Sequence, residues 1–546
     1  MGAQDREYRF SPEERPLFPG SPWSARHTRT NRVLYAVSAL VMALASGLGN
    51  GLITANIATI AGDMGLYVAE ANLLLAVYVA FNATANLLLV KARIQFGIPA
   101  TMHVVLGALM AAQVVQLLHP TLGTAILARA ISGIAAGGLT TLSLYNIFQV
   151  FPIRMRPIAA IVGFSLPQLA VPLARMFPLS DIAPSGWQGL HLIEFAAALG
   201  AWAMLNLMPL PPVERGKAFE PLDALTTVLT ITAMLLICTV LALGRLYWWT
   251  EAPWLGWALA VGLPLFGLVL LIEDRRKRPL LWVRWYGSAD ILFFTLVAVV
   301  VRLALSEQTY AAVGLLTLGG LTSDQLHPLF AVVFVAMAAG IATAALTVRP
   351  DRIVPIIMVA AFIIALGAWL DTHSTSQTRA PELYLSQALL GFGTTLFLGP
   401  ALMFGIGHII KGGPHYLVSF VVLFSTTQNV GGLAGSAMLG SIQAIRARVH
   451  AEQLAETISL GNPEVVGRIG QYSQLVGPTI TDPAARAQQA SGLLGQALNA
   501  QANILAFNDT FWVVTLIALA TGLFIAGVTF RDRLRQRALQ SGQVAA

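Results

Sequence analysis

Few side chains in this chain of 546 residues can move a proton or hold an ion, because charged residues make up only 11% of it. The informative ones stand inside long apolar runs. Arg129 lies in LARAISGIAAGG, Glu194 in HLIEFAAALG, and Arg302 and Glu307 in VAVVVRLALSEQTYAAVG. Charges surrounded by apolar sequence are costly in a bilayer, so each is a candidate for carrying substrate or protons. Arg129 offers a fixed positive charge, or else holds backbone carbonyls. Glu194 offers a carboxylate that can take up a proton, or else favours the start of its own helix. Arg302 and Glu307 are five residues apart, which turns them about 140° around a helix. An internal pair is therefore strained, and each should find its own partner. Asp509 stands before the last apolar run, where an acid favours a helix N-terminus. Asn50 and Gln428 lead a set of neutral polar residues, with Tyr78, Asn82, Gln387 and Asn429, that either line a path or tie helices together.

Other chemistry is missing from the sequence. There is no P-loop, the GxG patterns fall inside apolar runs, and no His/Asp/Glu group has metal-ligand spacing. ATP drive, a metal, a cofactor and soluble enzyme catalysis are therefore not expected. The single cysteine, Cys238, sits in an apolar run and allows no internal disulfide. The net charge is +7, but the Lys and Arg sit in short loops beside apolar runs. That placement suits anionic lipid and gives no sign of a nucleic-acid partner.

The elements that must position these residues are membrane helices. Hydrophobic residues make up 56% of the chain, and a bilayer core about 30 Å thick asks for roughly 20 apolar residues per crossing. Spans are expected at 33–58, 69–90, 101–118, 124–150, 157–177, 190–209, 222–244, 253–272, 289–314, 328–347, 353–370, 384–410, 416–445 and 511–530. With both termini inside, the inner loops collect Lys91 and Arg93, Arg154 and Arg156, Arg215 and Lys217, the run Arg275–Arg278, Arg349 and Arg352, and Lys411. This alternation supports fourteen helices, with cytoplasmic tails at 1–32 and 531–546. The Pro-rich linker 210–221 closes a first six-helix half at 33–209. Two inserted helices at 222–272 then precede a second half at 273–530. Two such halves imply a central cavity. The polar segment 447–510 is too long for a simple connector, and its Leu493, Leu494, Leu498, Ile504 and Leu505 have helical spacing.

Several stretches carry a family resemblance. ITANIATIAGDMG (53–65) is similar to "ANVAxPTIAGxLG", and Arg129 and Gly133 match "R-x-x-x-G". Gly186-Trp187, SQALLGFGTTLFLGP (386–400) and QASGLLGQALNAQANILAFNDTFW (489–512) fit further elements of the same pattern. Together these resemble the fourteen-helix drug:proton antiporters of the major facilitator superfamily, particularly the inner-membrane pump of Emr-type tripartite exporters. The resemblance implies an all-α major facilitator fold in the bacterial inner membrane. It implies proton-coupled efflux of small amphipathic compounds by alternating access, with a periplasmic adaptor protein and an outer-membrane channel as partners. Arg129 would then serve proton transfer or substrate contact. Hinge positions are expected at Gly133, Gly163, Pro167, Pro172, Gly391 and Pro400. The chain also departs from the pattern. Gly49 stands where the family places a helix 1 Asp, Ile94 replaces the Asp of the loop after helix 2, and GFSLPQLAVP (163–172) replaces a glycine-packed "G-P-x-x-G-G". Deep Arg129 and Arg302, with no acid in helix 1, turn the alternative reading toward export of organic anions such as aromatic or fatty acids. A sensor or assembly partner without transport is the reading from another class.

Overall fold

The computed structural model describes residues 14, 16, 20–177, 186–349, 351–459 and 461–544, so most of the expected N-terminal tail lies outside the described residues. Fourteen described helices are long and apolar enough to cross a bilayer. They are α1 Arg29–Ala55, α2 Val68–Phe96, α3 Ile98–Leu118, α4 Leu122–Val150, α5 Ile153–Ala174, α6 Trp187–Leu207 and α7 Pro221–Leu243. Then follow α8 Pro253–Asp274, α9 Ala289–Leu318, α10 Ser323–Thr347, α11 Ile353–His373, α12 Ala380–Ile409, α13 Leu417–Glu456 and α14 Pro483–Val544. Local chemistry sets their ends. Thr121 caps α4 by accepting from the Thr124 amide at 3.2 Å. Gly97, at φ +87°, makes the sharp turn from α2 into α3.

Small residues bring the helices together. A Cβ on Gly133 of α4 would stand 2.6 Å from the Tyr78 carbonyl of α2, so only glycine permits this approach. One bundle is built around α1, α2 and α4, and another around α12, α13 and α14. Helices α7 and α8 pack on each other and reach the rest through α2 and α13.

Two helices are interrupted. Pro167, which has no amide hydrogen to give, sits in a 3-10 turn Leu166–Leu169 inside α5. Helix α9 breaks at Leu305 and Ser306 into Ala289–Ala304 and Glu307–Leu318, without proline or glycine. The Ser306 hydroxyl donates across this break to the Gly432 carbonyl at 3.1 Å.

The segment 447–510 differs from a polar connector carrying a helix. It continues α13 and α14 past the span expected for each, with a short helix Pro463–Val476 packed on α14. At 1.5 Å per residue, the 40 residues of α13 reach about 60 Å, twice the bilayer core. Gln443 donates to Asn503 at 2.6 Å, and Asp509 pairs with Arg446 at 2.5 Å and His450 at 2.7 Å. Asp509 therefore lies within a continuous helix and ties two helices; it does not begin one.

At the other end of the molecule an ionic cluster fixes the α7–α8 pair. Arg276 donates to Asp223 at 2.7 Å, Glu273 at 2.8 Å and Glu220 at 2.9 Å, while Lys91 of α2 meets Asp223 at 2.6 Å. Burial alone would lower the Arg276 guanidinium, but its hydrogen bonds to Asp223, Glu220 and Glu273 outweigh burial and hold it above its ordinary value.

Candidate functional site

A cavity of about 450 Å³ lies between the two bundles. Its walls come from the halves of α1, α2, α5 and α7 farthest from the chain termini, and from the middle of α9 and α13. The polar lining includes Asn50, Tyr78, Asn82, Gln168, Gln428 and Asn429. Apolar lining comes from Leu75, Val79, Phe164, Val171, Leu241, Val421, Phe424 and Leu433. Such a mixture suits an amphipathic ligand, with apolar walls for its body and a few polar groups to orient it. Phe164 of α5 and Phe424 of α13 meet edge to face at the cavity wall, centroids 6.3 Å apart. Beyond them Gly399 of α12 lies so close to α5 that a Cβ there would stand 2.5 Å from Ile161.

The charge of this lining is one-sided. Arg175, Arg245 and Arg302 line the cavity, and no Asp or Glu does among the described residues. Arg245 donates to the Tyr310 hydroxyl at 3.0 Å, and Arg175 lies over the Phe330 ring at 5.2 Å. Arg302 donates its Nε to the Gln428 carbonyl at 2.9 Å. None of the three has a carboxylate within ion-pair reach among the described residues. The cavity thus holds positive charge with no counter-charge on a neighbouring side chain among the described residues.

Arg129 stands one layer behind this wall. It is 1% exposed, donates to the Asn50 side chain at 2.8 Å, and lies over the Tyr78 ring at 4.4 Å. Its Nε and Nη1 have no hydrogen-bond partner among the described residues. Buried donors left in this way carry a desolvation cost and call for a functional account. Glu194 is buried beside it and accepts from the Ser132 hydroxyl. Ser132 also receives a long bond from Gln113 at 3.4 Å, and Gln113 meets His191 at 2.6 Å. The Glu194 carboxyl fills the space against Gly49, where any Cβ would overlap it. A carboxyl reaching over from α6 therefore occupies the space beside Gly49 of α1.

Arg302 and Glu307 face different partners across the α9 break. Glu307, at 0% exposure, meets Gln387 of α12 and does not line the cavity. Asn50 and Gln428 both line it, whereas Asp509 is occupied far along α14 with Arg446 and His450. Among the expected hinges, Pro167 lies in the 3-10 turn of α5 and at the cavity wall. Pro172 is buried in α5, and Gly163 allows α5 to approach Leu144 of α4. Gly391 packs on Val333 and Met337 of α10, and Pro400 is carried inside the continuous helix Tyr384–Gly412.

Arg175, Arg245 and Asp371 escape a reading of the sequence. Each stands at the end of its apolar run, where a charge looks like an ordinary loop residue. Only packing distinguishes them, which puts Arg175 and Arg245 at the cavity and buries Asp371.

No protein-family model matches the chain, and no curated protein matches its sequence. Its fold does match solved structures. The proton:xylose symporter XylE aligns over 92% of this chain and 96% of its own, with a TM-score of 0.55 at 12% identity. A bacterial homologue of the human drug peptide transporters PepT1 and PepT2 aligns over 92% and 99%, with a TM-score of 0.54 at 11% identity. A structure of proton-dependent oligopeptide transporters gives 91%, 99%, 0.54 and 13% for the same four quantities. The chain accordingly has the all-α major facilitator fold, carried on fourteen membrane helices.

Proposed function

We propose that this protein is a proton-coupled secondary transporter that exports small amphipathic compounds, and that organic anions are its substrate class. The observation that carries this reading is the cavity between the bundles, lined by Arg175, Arg245 and Arg302 with no carboxylate among the described residues. A cationic wall in a low-dielectric site attracts an anion and repels a cation. The apolar lining takes the hydrocarbon or aromatic part of the same molecule.

Coupling is assigned to Glu194 beside Arg129. An ionised Glu194 attracts the Arg129 guanidinium and draws it from Asn50. A protonated Glu194 releases Arg129 to Asn50, which takes that cavity-lining side chain away from the anion, so proton uptake and anion binding oppose each other as export against proton entry requires. Both act on the same Arg129–Asn50 contact, which is what linkage between two ligands requires. Efflux, the bacterial inner membrane, cytoplasmic termini, and a periplasmic adaptor with an outer-membrane channel follow from the resemblance to Emr-type pumps. The α13–α14 extension is the surface on which such an adaptor would dock.

The test uses sealed proteoliposomes and two probes of equal chain length whose charges are fixed at every pH, octanesulfonate and octyltrimethylammonium. The expected result is pH-gradient-driven movement of the sulfonate, with the ammonium compound excluded. Preferential movement of the ammonium compound would remove the anion assignment. No gradient-dependent movement of either would remove the coupling assignment.

A further inference from the structure

A second buried acidic group lies on the far side of α9 from the cavity. Glu307 and Asp371 are 0% and 2% exposed, and both accept from the same Nε2 of Gln387, at 3.1 and 2.8 Å. Glu307 Oε2 is buried with no hydrogen-bond partner among the described residues. The charged groups on the elements packed around the pair are engaged elsewhere. Arg302 donates to the Gln428 carbonyl, Arg245 to Tyr310, and Arg379 to the carbonyls of Ser376 and Thr378. His373 meets Thr372, and Asp509 is paired with Arg446 and His450. Glu382 is exposed. Asp371 is also met by the Ser386 side chain. Two carboxyls with no cation beside them repel strongly when both are ionised, and a single shared proton removes the repulsion.

The backbone beside the pair is also distinctive. Glu307 opens the second piece of the broken α9, and Arg302 closes the first. Broken membrane helices are a recurrent setting for coupling ions, because the break can move as a unit. Here it joins a cavity-lining cation on one side to a buried acid on the other. Ser306, between them, is bonded to the Gly432 carbonyl, and Gly432 lies against the Arg302 side chain.

We infer that Glu307, Gln387 and Asp371 form a second proton-binding site, which holds one proton between its two carboxyls and acts on Arg302 through the α9 break. The Glu307 Oε2 that lacks a partner is where the shared proton resides when it is on that side of the pair. Loss of the proton leaves a negative charge on the second piece of α9 facing another at the end of α11, and shifts the break relative to α13. Its role in transport rests on the function proposed above, but its existence does not.

The test is infrared difference spectroscopy of the purified full-length protein in lipid, following the C=O stretch of protonated carboxyl groups as pH is stepped. Four forms are compared: the unsubstituted protein, Glu307→Gln, the double variant Glu307→Gln/Asp371→Asn, and Glu194→Gln. The expected result is a protonated-carboxyl band that survives in Glu194→Gln and is lost in the double variant. In Glu307→Gln the band should shift in position, because Asp371 no longer has a second carboxyl to share with. Should the double variant fail to fold, that shift in the single variant carries the test. A band unchanged in both Glu307 variants overturns the site, as does a band abolished by sodium chloride at constant pH, which would mark a metal-cation site. Failure of the anion-transport assay leaves these spectra standing, so the two proposals fail separately.

Discussion

Arg129 is held by one good hydrogen bond and one aromatic face, with two of its nitrogens unsatisfied. That arrangement is poor as a structural tie and well suited to a movable partner. Arg129→Ala should keep the protein folded in the membrane and reduce the pH dependence of octanesulfonate affinity about tenfold or more, since the charged hydrogen bond to Asn50 that the anion must displace is worth about 1.5–3 kcal/mol. Arg129→Lys should also be impaired, because a lysine has no planar fork to span two acceptors. Binding measured by intrinsic tryptophan fluorescence across pH checks both, and an unchanged pH dependence in Arg129→Ala would reduce the residue to packing. Gly49 offers a sharper experiment. Its missing side chain is the space that the Glu194 carboxyl occupies. Gly49→Asp should lower activity by forcing two acids together, and overpacking alone costs about 1–3 kcal/mol. The exchange Gly49→Asp/Glu194→Gly returns one carboxylate to one space and should recover pH-dependent transport. An exchange no better than Gly49→Asp alone would separate Glu194 from coupling. From the sequence, the charges of Arg129, Glu194, Arg302 and Glu307 were legible as candidates, because charge inside apolar runs is rare. Which charge meets which was not, since partners such as Gly49 and Glu194, or Glu307 and Asp371, are joined only by helix packing.

Helices were the most legible scale, because a crossing needs a long apolar run and fourteen of those are present. Their extensions were harder to read. The polar turns of α13 and α14 beyond the bilayer continue the same helices without any terminating residue, and hydropathy shows only where the lipid ends. The break in α9 was also hidden, because no proline or glycine marks Leu305 and Ser306. The ionic cluster at Arg276 could be seen only as a basic loop. In the structure its side chain is 5% exposed and serves three acids. Arg276→Ala should lower stability by about 3–5 kcal/mol, because the remaining buried acids keep only Lys91 for compensation. Thermal unfolding in detergent measures this, and an unchanged midpoint would show that α7 and α8 are held by packing alone. Deleting residues 460–495 removes the short helix Pro463–Val476 and the first turns of α14 without entering the cavity. Octanesulfonate transport in proteoliposomes should survive, while co-purification of a periplasmic adaptor should be lost. Retained adaptor binding would place the docking surface elsewhere.

At the scale of the whole molecule, the two bundles touch differently at two places around the cavity. They meet at Phe164 and Phe424 in the cavity wall and, one turn nearer the chain termini on α5, at the narrow approach of Gly399 to Ile161. Between α2 and α13, Asn429 and Asn82 meet only at 3.4 Å, a weak bond that can be exchanged cheaply. Alternating access requires the aromatic contact to part while the opposite end of the cavity seals. The ring pair is therefore the contact whose opening should limit passage. Phe164→Cys and Phe424→Cys together place two thiols at this contact, in a chain whose only other cysteine, Cys238, is buried in α7. A short bifunctional thiol reagent should link them in the ligand-free protein and stop transport, and neither single variant should be inactivated by linking. An octanesulfonate load on the termini-proximal side should slow the linking, because it favours the state in which the rings are apart. Linking at the same rate with and without the probe, or transport that continues after linking, would mean that the bundles do not part at this contact.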